Sequence, residues 1–241
     1  MMKNIKPLFL VAFLVFLSSG DGRAMNDDLD DKSLSLCSDA SLCCDNAEEI
    51  MQEEGLNEDE RIRELREVFK RDGIDANVVC KNAQLSLLHI AIRLKQPKVV
   101  AFLIENGADL KKEDINGETP LYTAATCGNC AMVALLVGKG ANINAKTKAG
   151  DTPLHGAVRC KKVEIVDFLF WNGANLHVKN KEGDTALHIA VKNKSEKLAE
   201  FLVEKGASVH DKDLYGNTAI SVSVTGNGLT TTKLEPLSIK K

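Results

Sequence analysis

The sequence lacks the usual signatures of catalysis. No glycine-rich phosphate loop, no Ser/His/Asp set and no paired-carboxylate site stands out among its 241 residues. A non-catalytic chain with no cofactor is therefore expected. Aromatic residues are scarce, at 5% of the chain, with one tryptophan and two tyrosines. Few rings are left on which nucleobases can stack. Long apolar stretches are lacking too. Residues 8–17, LFLVAFLVFL, are an unbroken apolar run of ten, short of the roughly 20 that a membrane-spanning helix needs.

What flanks that run gives it a use. Lys3 and Lys6 precede it, and the small residues Ser18, Ser19, Gly20, Gly22 and Ala24 follow. A basic start, an apolar core and a small-residue zone predict a signal peptide over residues 1–24, cleaved after Gly20 or Ala24. The expected chain is exported, secreted or periplasmic, with no stable membrane insertion after cleavage. No cysteine directly follows the run, so a bacterial lipoprotein is not indicated. The alternative is a cytosolic adaptor translated from Met25.

Charge is divided along the chain. Its formal net charge is −3, yet residues 25–60 hold thirteen acidic side chains against one basic, Lys32. Residues 25–46 lack hydrophobic periodicity and are rich in Asp and Ser, which predicts an unstructured acidic leader. Residues 47–83 follow as a helical cap or degenerate repeat. There Asn57-Glu58-Asp59-Glu60 forms a capping box, and Ile62, Leu65, Val68 and Phe69 form an apolar stripe.

Beyond this point the chain repeats itself every 33 residues. GETPLYTAATCGNCAMVALLVGKGANINAKTKA, from Gly117, matches the segments that begin at Gln84, Gly150 and Gly183. The units are 84–116, 117–149, 150–182 and 183–215, with a partial unit and tail over 216–241. A fixed period of this length defines a solenoid. Ser86, Thr119, Thr152, Thr185 and Thr218 stand where a hydroxyl can cap a first helix. Small residues (Ala91, Ala124, Ala125, Ala157, Ala190) permit close stacking. Second helices carry apolar stripes such as Val99/Val100/Phe102/Leu103, and end at Gly107, Gly140, Gly173 and Gly206.

These residues resemble the ankyrin repeat family. The family's TPLH-type motif stands as Ser86-Leu87-Leu88-His89, Thr119-Pro120-Leu121-Tyr122, Thr152-Pro153-Leu154-His155 and Thr185-Ala186-Leu187-His188. The resemblance implies an all-α ankyrin-repeat solenoid of helix–turn–helix units. It also implies a non-catalytic module that binds a protein partner through a concave face of turn tips and first helices. His89, His155 and His188 fill a motif position that ties neighbouring turns together, and Tyr122 departs from it.

Carried onto this chain, the resemblance places the contact face at Arg93, Ile115, Asn116, Glu118, Thr126, Lys148, Asp151, Arg159, Lys181, Asp184, Lys192, Leu214, Tyr215 and Asn217. Arg93, Thr126, Arg159 and Lys192 make a basic row at one-repeat spacing, which suits an acidic strip on a protein. Ile115, Leu214 and Tyr215 supply apolar anchors. Glu118, Asp151, Glu182 and Asp184 interleave with the cations and repel phosphates, so no nucleic-acid partner is expected. Arg159 and Tyr215 are the single-site choices. Arg159→Ala is expected to weaken binding while sparing the melting temperature. A monomer is expected.

The cysteines leave a second reading open. Seven is an odd number, so one thiol stays unpaired within the chain. Cys127-Gly128-Asn129-Cys130 is a C-x-x-C, which admits a thiol-redox or metal-binding protein on a repeat scaffold. No histidine accompanies it, and Gly128 falls at the family's own glycine between the helices, so no metal site is expected. Trp171 replaces polar or small residues of the sister repeats and is expected to pack on the following turn. Asn193-Lys194-Ser195 is a glycosylation sequon if the host is eukaryotic.

Overall fold

The computed structural model describes residues 47–73, 75–80 and 85–219. The expectations placed on residues 1–46, on residues 81–84 and on the tail from residue 220 lie outside them.

The described chain starts with two helices, α1 (residues 47–52) and α2 (Glu58–Asp72). Asn57 Oδ1 accepts from the Glu60 N–H at 3.0 Å, and Glu60 Oε2 accepts from the Asn57 N–H at 3.0 Å. Both halves of the capping box are formed, so two otherwise unpaired amides of the first turn are satisfied. Leu65 and Val68 are buried, with Ile62 and Phe69 packed against the core. A two-residue antiparallel pair follows, β1 (Val79–Cys80) with β2 (Leu85–Ser86). It adds to the all-helical pattern without altering the fold class.

Four helix pairs then repeat: α3 (Leu87–Arg93) and α4 (Pro97–Glu105), α5 (Pro120–Cys127) and α6 (Cys130–Gly138), α7 (Pro153–Arg159) and α8 (Val163–Trp171), α9 (Ala186–Lys192) and α10 (Glu196–Glu204). Ser86, Thr119, Thr152 and Thr185 are their N-cap residues. First helices stack in the order α3, α5, α7, α9, with α4, α6 and α8 behind them; α2 packs on α4. Ala91, Ala124, Ala157 and Ala190 lie wholly inside, which lets the backbones approach. Val99, Val100 and Leu103, and their equivalents Met132, Val133 and Leu136, Ile165, Val166 and Leu169, close the core from the second layer. Each such side chain contributes about 1.5–3 kcal/mol on burial. Among the described residues no helix is long and apolar enough to cross a membrane.

Two recurring stops set the geometry. Second helices end in a left-handed glycine, with φ 87 at Gly107 and 94 at Gly206. The Ala108 N–H reaches back to the Leu103 carbonyl at 3.0 Å and the Gly107 N–H to Ile104 at 3.1 Å, and the pattern recurs in every unit. The loops between first and second helices need the same left-handed residue. Gly128 takes it at φ 76, but Lys95, Lys161 and Lys194 take it at 57, 56 and 52.

Candidate protein interface

The predicted contact residues fall on the turn tips and on the ends of first helices. Each tip is a tight turn closed by its own backbone: the Asp114 N–H donates to Glu118 at 3.0 Å and the Gly117 N–H to Asp114 at 2.9 Å. Asp114 Oδ1 also accepts from the Asn116 and Glu118 amides at 2.8 Å. Asn180 and Asp213 do the same in their turns. Successive tips are joined by one backbone bond each. Lys148 donates to Asn116, Lys181 to Ala149 and Leu214 to Glu182, at 2.9, 2.9 and 3.0 Å. The tips are therefore held in register by the backbone itself.

Histidines tie the first helices to the next tip. His155 Nδ1 accepts from the Thr152 N–H at 3.1 Å and contacts the Thr152 hydroxyl at 2.8 Å. Its Nε2 lies 3.2 Å from the Asp184 carbonyl, which only accepts, so Nε2 carries the proton. His89 reaches the Glu118 carbonyl at 3.0 Å and His188 the Asn217 carbonyl at 3.3 Å. Burial, the leading cause, lowers the pKa of both His89 and His155. With both nitrogens engaged, none of the three presents a lone pair to a metal.

Tyr122 breaks the series. Its amide bonds to Thr119 Oγ1 at 3.4 Å, while its hydroxyl lies 3.5 Å from Arg159 Nη1. Desolvation, reinforced by the charge of Asp151, pushes its pKa up to about 12. The ring lies where the next repeat has Gly156: a Cβ there would stand 3.1 Å from Tyr122 Cε2 and 2.9 Å from Thr126 Cγ2.

The charged row differs from its sequence reading. Asp151 and Asp184 were expected at the contact surface, but are 3% and 2% exposed. They lie beneath the helix-end cations instead. Arg159 Nη1 donates to Asp151 Oδ2 at 2.6 Å, and Lys192 Nζ to both Asp184 oxygens at 2.7 and 2.6 Å. Arg93 pairs with buried Asp114 at 3.5 Å. Glu118 is half-buried, and desolvation followed by the Asp114 charge raises its pKa. The row therefore serves the fold as well as the surface. Arg159→Ala is no neutral probe, because it strips a buried carboxylate of its cation.

The remaining predicted residues are open. Ile115, Leu214 and Tyr215 are 53%, 72% and 81% exposed, and Asn116, Lys148, Lys181 and Asn217 are exposed beside them. Thr126 is half-buried, its hydroxyl donating to the Thr123 carbonyl at 2.9 Å. Trp171 is not packed on the following turn as expected. It is 69% exposed, its indole N–H donates to Asp167 at 3.0 Å, and the Lys205 ammonium lies 4.7 Å from its ring. Cys127, Cys130 and Cys160 are free thiols, and burial, the leading cause, raises the pKa of Cys127. Among the described residues, no group of three or more His, Cys, Asp or Glu side chains is placed to hold a metal.

Helix pairs at a 33-residue period, left-handed glycine stops and histidine ties define a class of stacked-repeat interaction scaffolds. The family description for ankyrin repeats matches residues 59–147, 88–180 and 154–234. The chain belongs to the ankyrin repeat family, whose repeats are generally protein-interaction modules and typically non-catalytic. No curated protein matches it.

Proposed function

We propose that the protein is exported through residues 1–24 and captures a protein partner on the concave face made by its turn tips and first-helix ends. The exposure of Ile115, Leu214 and Tyr215 on hydrogen-bonded tips carries this reading. Large apolar groups fixed in water by rigid turns are poised to bury area with little ordering cost. Lys148 and Lys181 stand between Ile115 and Leu214 in the same tip row, roughly 25–30 Å long at about 8–10 Å per stacked helix. An acidic strip on the partner fits those two lysines best, since Arg93, Arg159 and Lys192 already hold carboxylates.

The test uses the full-length tagged chain as bait in host extract and culture fluid. Tyr215→Ala should weaken capture about tenfold, and Glu105→Ala, on a second helix, should not. If Glu105→Ala weakens capture and Tyr215→Ala does not, the partner uses the other side. Export predicts a mature N-terminus at Asp21 or Met25; intact Met1 on a soluble cytosolic protein overturns it. No observation favours the thiol reading, because the raised pKa of Cys127 is the reverse of what a reactive thiolate needs. Ser at both Cys127 and Cys130 should leave capture intact.

A further inference from the structure

The loops joining the two helices of each repeat, residues 93–98, 126–131, 159–164 and 192–197, hold nine cations against two carboxylates, Glu164 and Glu196. Four of the nine are committed: Arg93, Arg159 and Lys192 to aspartates beneath them, and Lys98 to Asp59. Lys95, Lys161, Lys162, Lys194 and Lys197 are exposed and form no ion pair within the described residues. The loops are stacked on one another; Asn193 Nδ2, for example, donates to the Arg159 carbonyl at 3.3 Å.

Two independent features mark this row. The first is backbone strain. Lys95, Lys161 and Lys194 occupy the left-handed region that glycine enters freely and residues with a Cβ do not, and the second repeat shows that Gly128 satisfies the same turn. Lysine is thus kept three times where the fold favours glycine, a pattern that points to use rather than to packing. The second feature lies at Gly128 itself. A Cβ there would stand 2.9 Å from Lys162 Nζ and 2.5 Å from Lys162 Cε. The ammonium missing from the second loop is supplied by Lys162 of the next repeat. Four successive loops therefore each carry an uncommitted ammonium.

We propose that this row is a binding edge for an acidic segment of a protein partner, bordering the first-helix ends and separate from the turn tips. Stacked repeats space the ammonium groups about 8–10 Å apart, and a polyproline-II segment, with about 3.1 Å per residue and three residues per turn, brings every third side chain to one side about 9 Å apart. An acidic residue at every third position then meets one ammonium per repeat. Nucleic acid fits less well: the four loops contain no aromatic side chain on which a base can stack, and Glu164 and Glu196 interrupt the row.

The test titrates full-length protein against a fluorescent peptide of five Glu-Ser-Gly repeats by anisotropy, at about 50 mM and about 300 mM salt. The expected result is binding that weakens with salt. It should fall about tenfold in K95Q/K161Q/K162Q/K194Q and stay unchanged in the control K139Q/K146Q. The variant K95G/K161G/K194G should melt higher than the parent while binding the peptide more weakly, a combination that simple loss of folding cannot produce. Three outcomes overturn the proposal: no peptide binding by the parent, an equal loss in the control variant, or tighter binding of a 15-nucleotide oligo-dT through the same lysines.

Discussion

The seam between the second and third repeats and the seam between the third and fourth perform one task with different chemistry. At the second seam, His155 spends both ring nitrogens, one on its own N-cap and one on the Asp184 carbonyl of the next tip. At the first, Tyr122 makes no such tie and fits its ring into the space left by Gly156. Ile90, Thr123 and Ile189 hold the place of Gly156 in the other units. A polar staple has been replaced by a notch and a ring, and the notch belongs to the neighbouring repeat. The departure at one position of the motif is thus compensated 34 residues later.

The comparison can be broken at either seam. His155→Ala should have the largest effect, about 3 kcal/mol by urea unfolding, because it opens a cavity and leaves the Thr152 amide unpaired inside. Its loss should also flatten a pH response. His89 and His155 have folded pKa values below the ordinary 6.5, so the unfolded chain binds more protons as pH falls. Stability is held above that value and declines through the interval down to the lowered ones. A melting temperature that does not drop between pH 7 and pH 5 contradicts this account.

Gly156→Ile comes next, at about 2 kcal/mol, since the new side chain collides with Tyr122 and Thr126. Adding Tyr122→His should recover about 1 kcal/mol, and strict additivity of the two changes would sink the notch explanation. Arg159→Ala should cost about 1 kcal/mol, held down by solvent around the half-exposed guanidinium; a melting temperature equal to the parent's would show that Asp151 needs no cation. Tyr122→Phe sits at the bottom, below about 0.5 kcal/mol, because a contact of 3.5 Å to Arg159 is at the limit of a hydrogen bond. A larger loss would mean that the hydroxyl, not the ring, holds the seam.

The fold was legible because period, N-cap hydroxyls and glycine stops are local signals that recur at one spacing. Ser86, Thr119, Thr152 and Thr185 stand at N-cap positions where the motif places them, although the Ser86 hydroxyl turns to His89 Nδ1 at 2.7 Å and caps no amide; Asn57 closes its box with Glu60. The exposure of Ile115, Leu214 and Tyr215 was legible for the same reason, as positions outside the apolar stripe. Asp151 and Asp184 were not. Residue type assigns a carboxylate to the surface, whereas burial here depends on a cation eight residues along that folds back over it. The strained lysines were hidden too, since only Gly128 announces the left-handed turn that Lys95, Lys161 and Lys194 share. The dependence of Tyr122 on Gly156 was invisible because it links different positions of different repeats.

The single amide-to-carbonyl link between neighbouring tips has a mechanical corollary. Lys148–Asn116, Lys181–Ala149 and Leu214–Glu182 run along the stacking axis, each spanning one junction. A load applied to the ends of the array meets the junctions in series, each held by its tip link together with the side-chain bonds and stacked helices beside it. Junctions of this kind yield individually and re-form individually, since each repeat touches only its neighbours. Under tension the protein should lengthen in equal steps of one repeat, with the Tyr122 junction as the first to give.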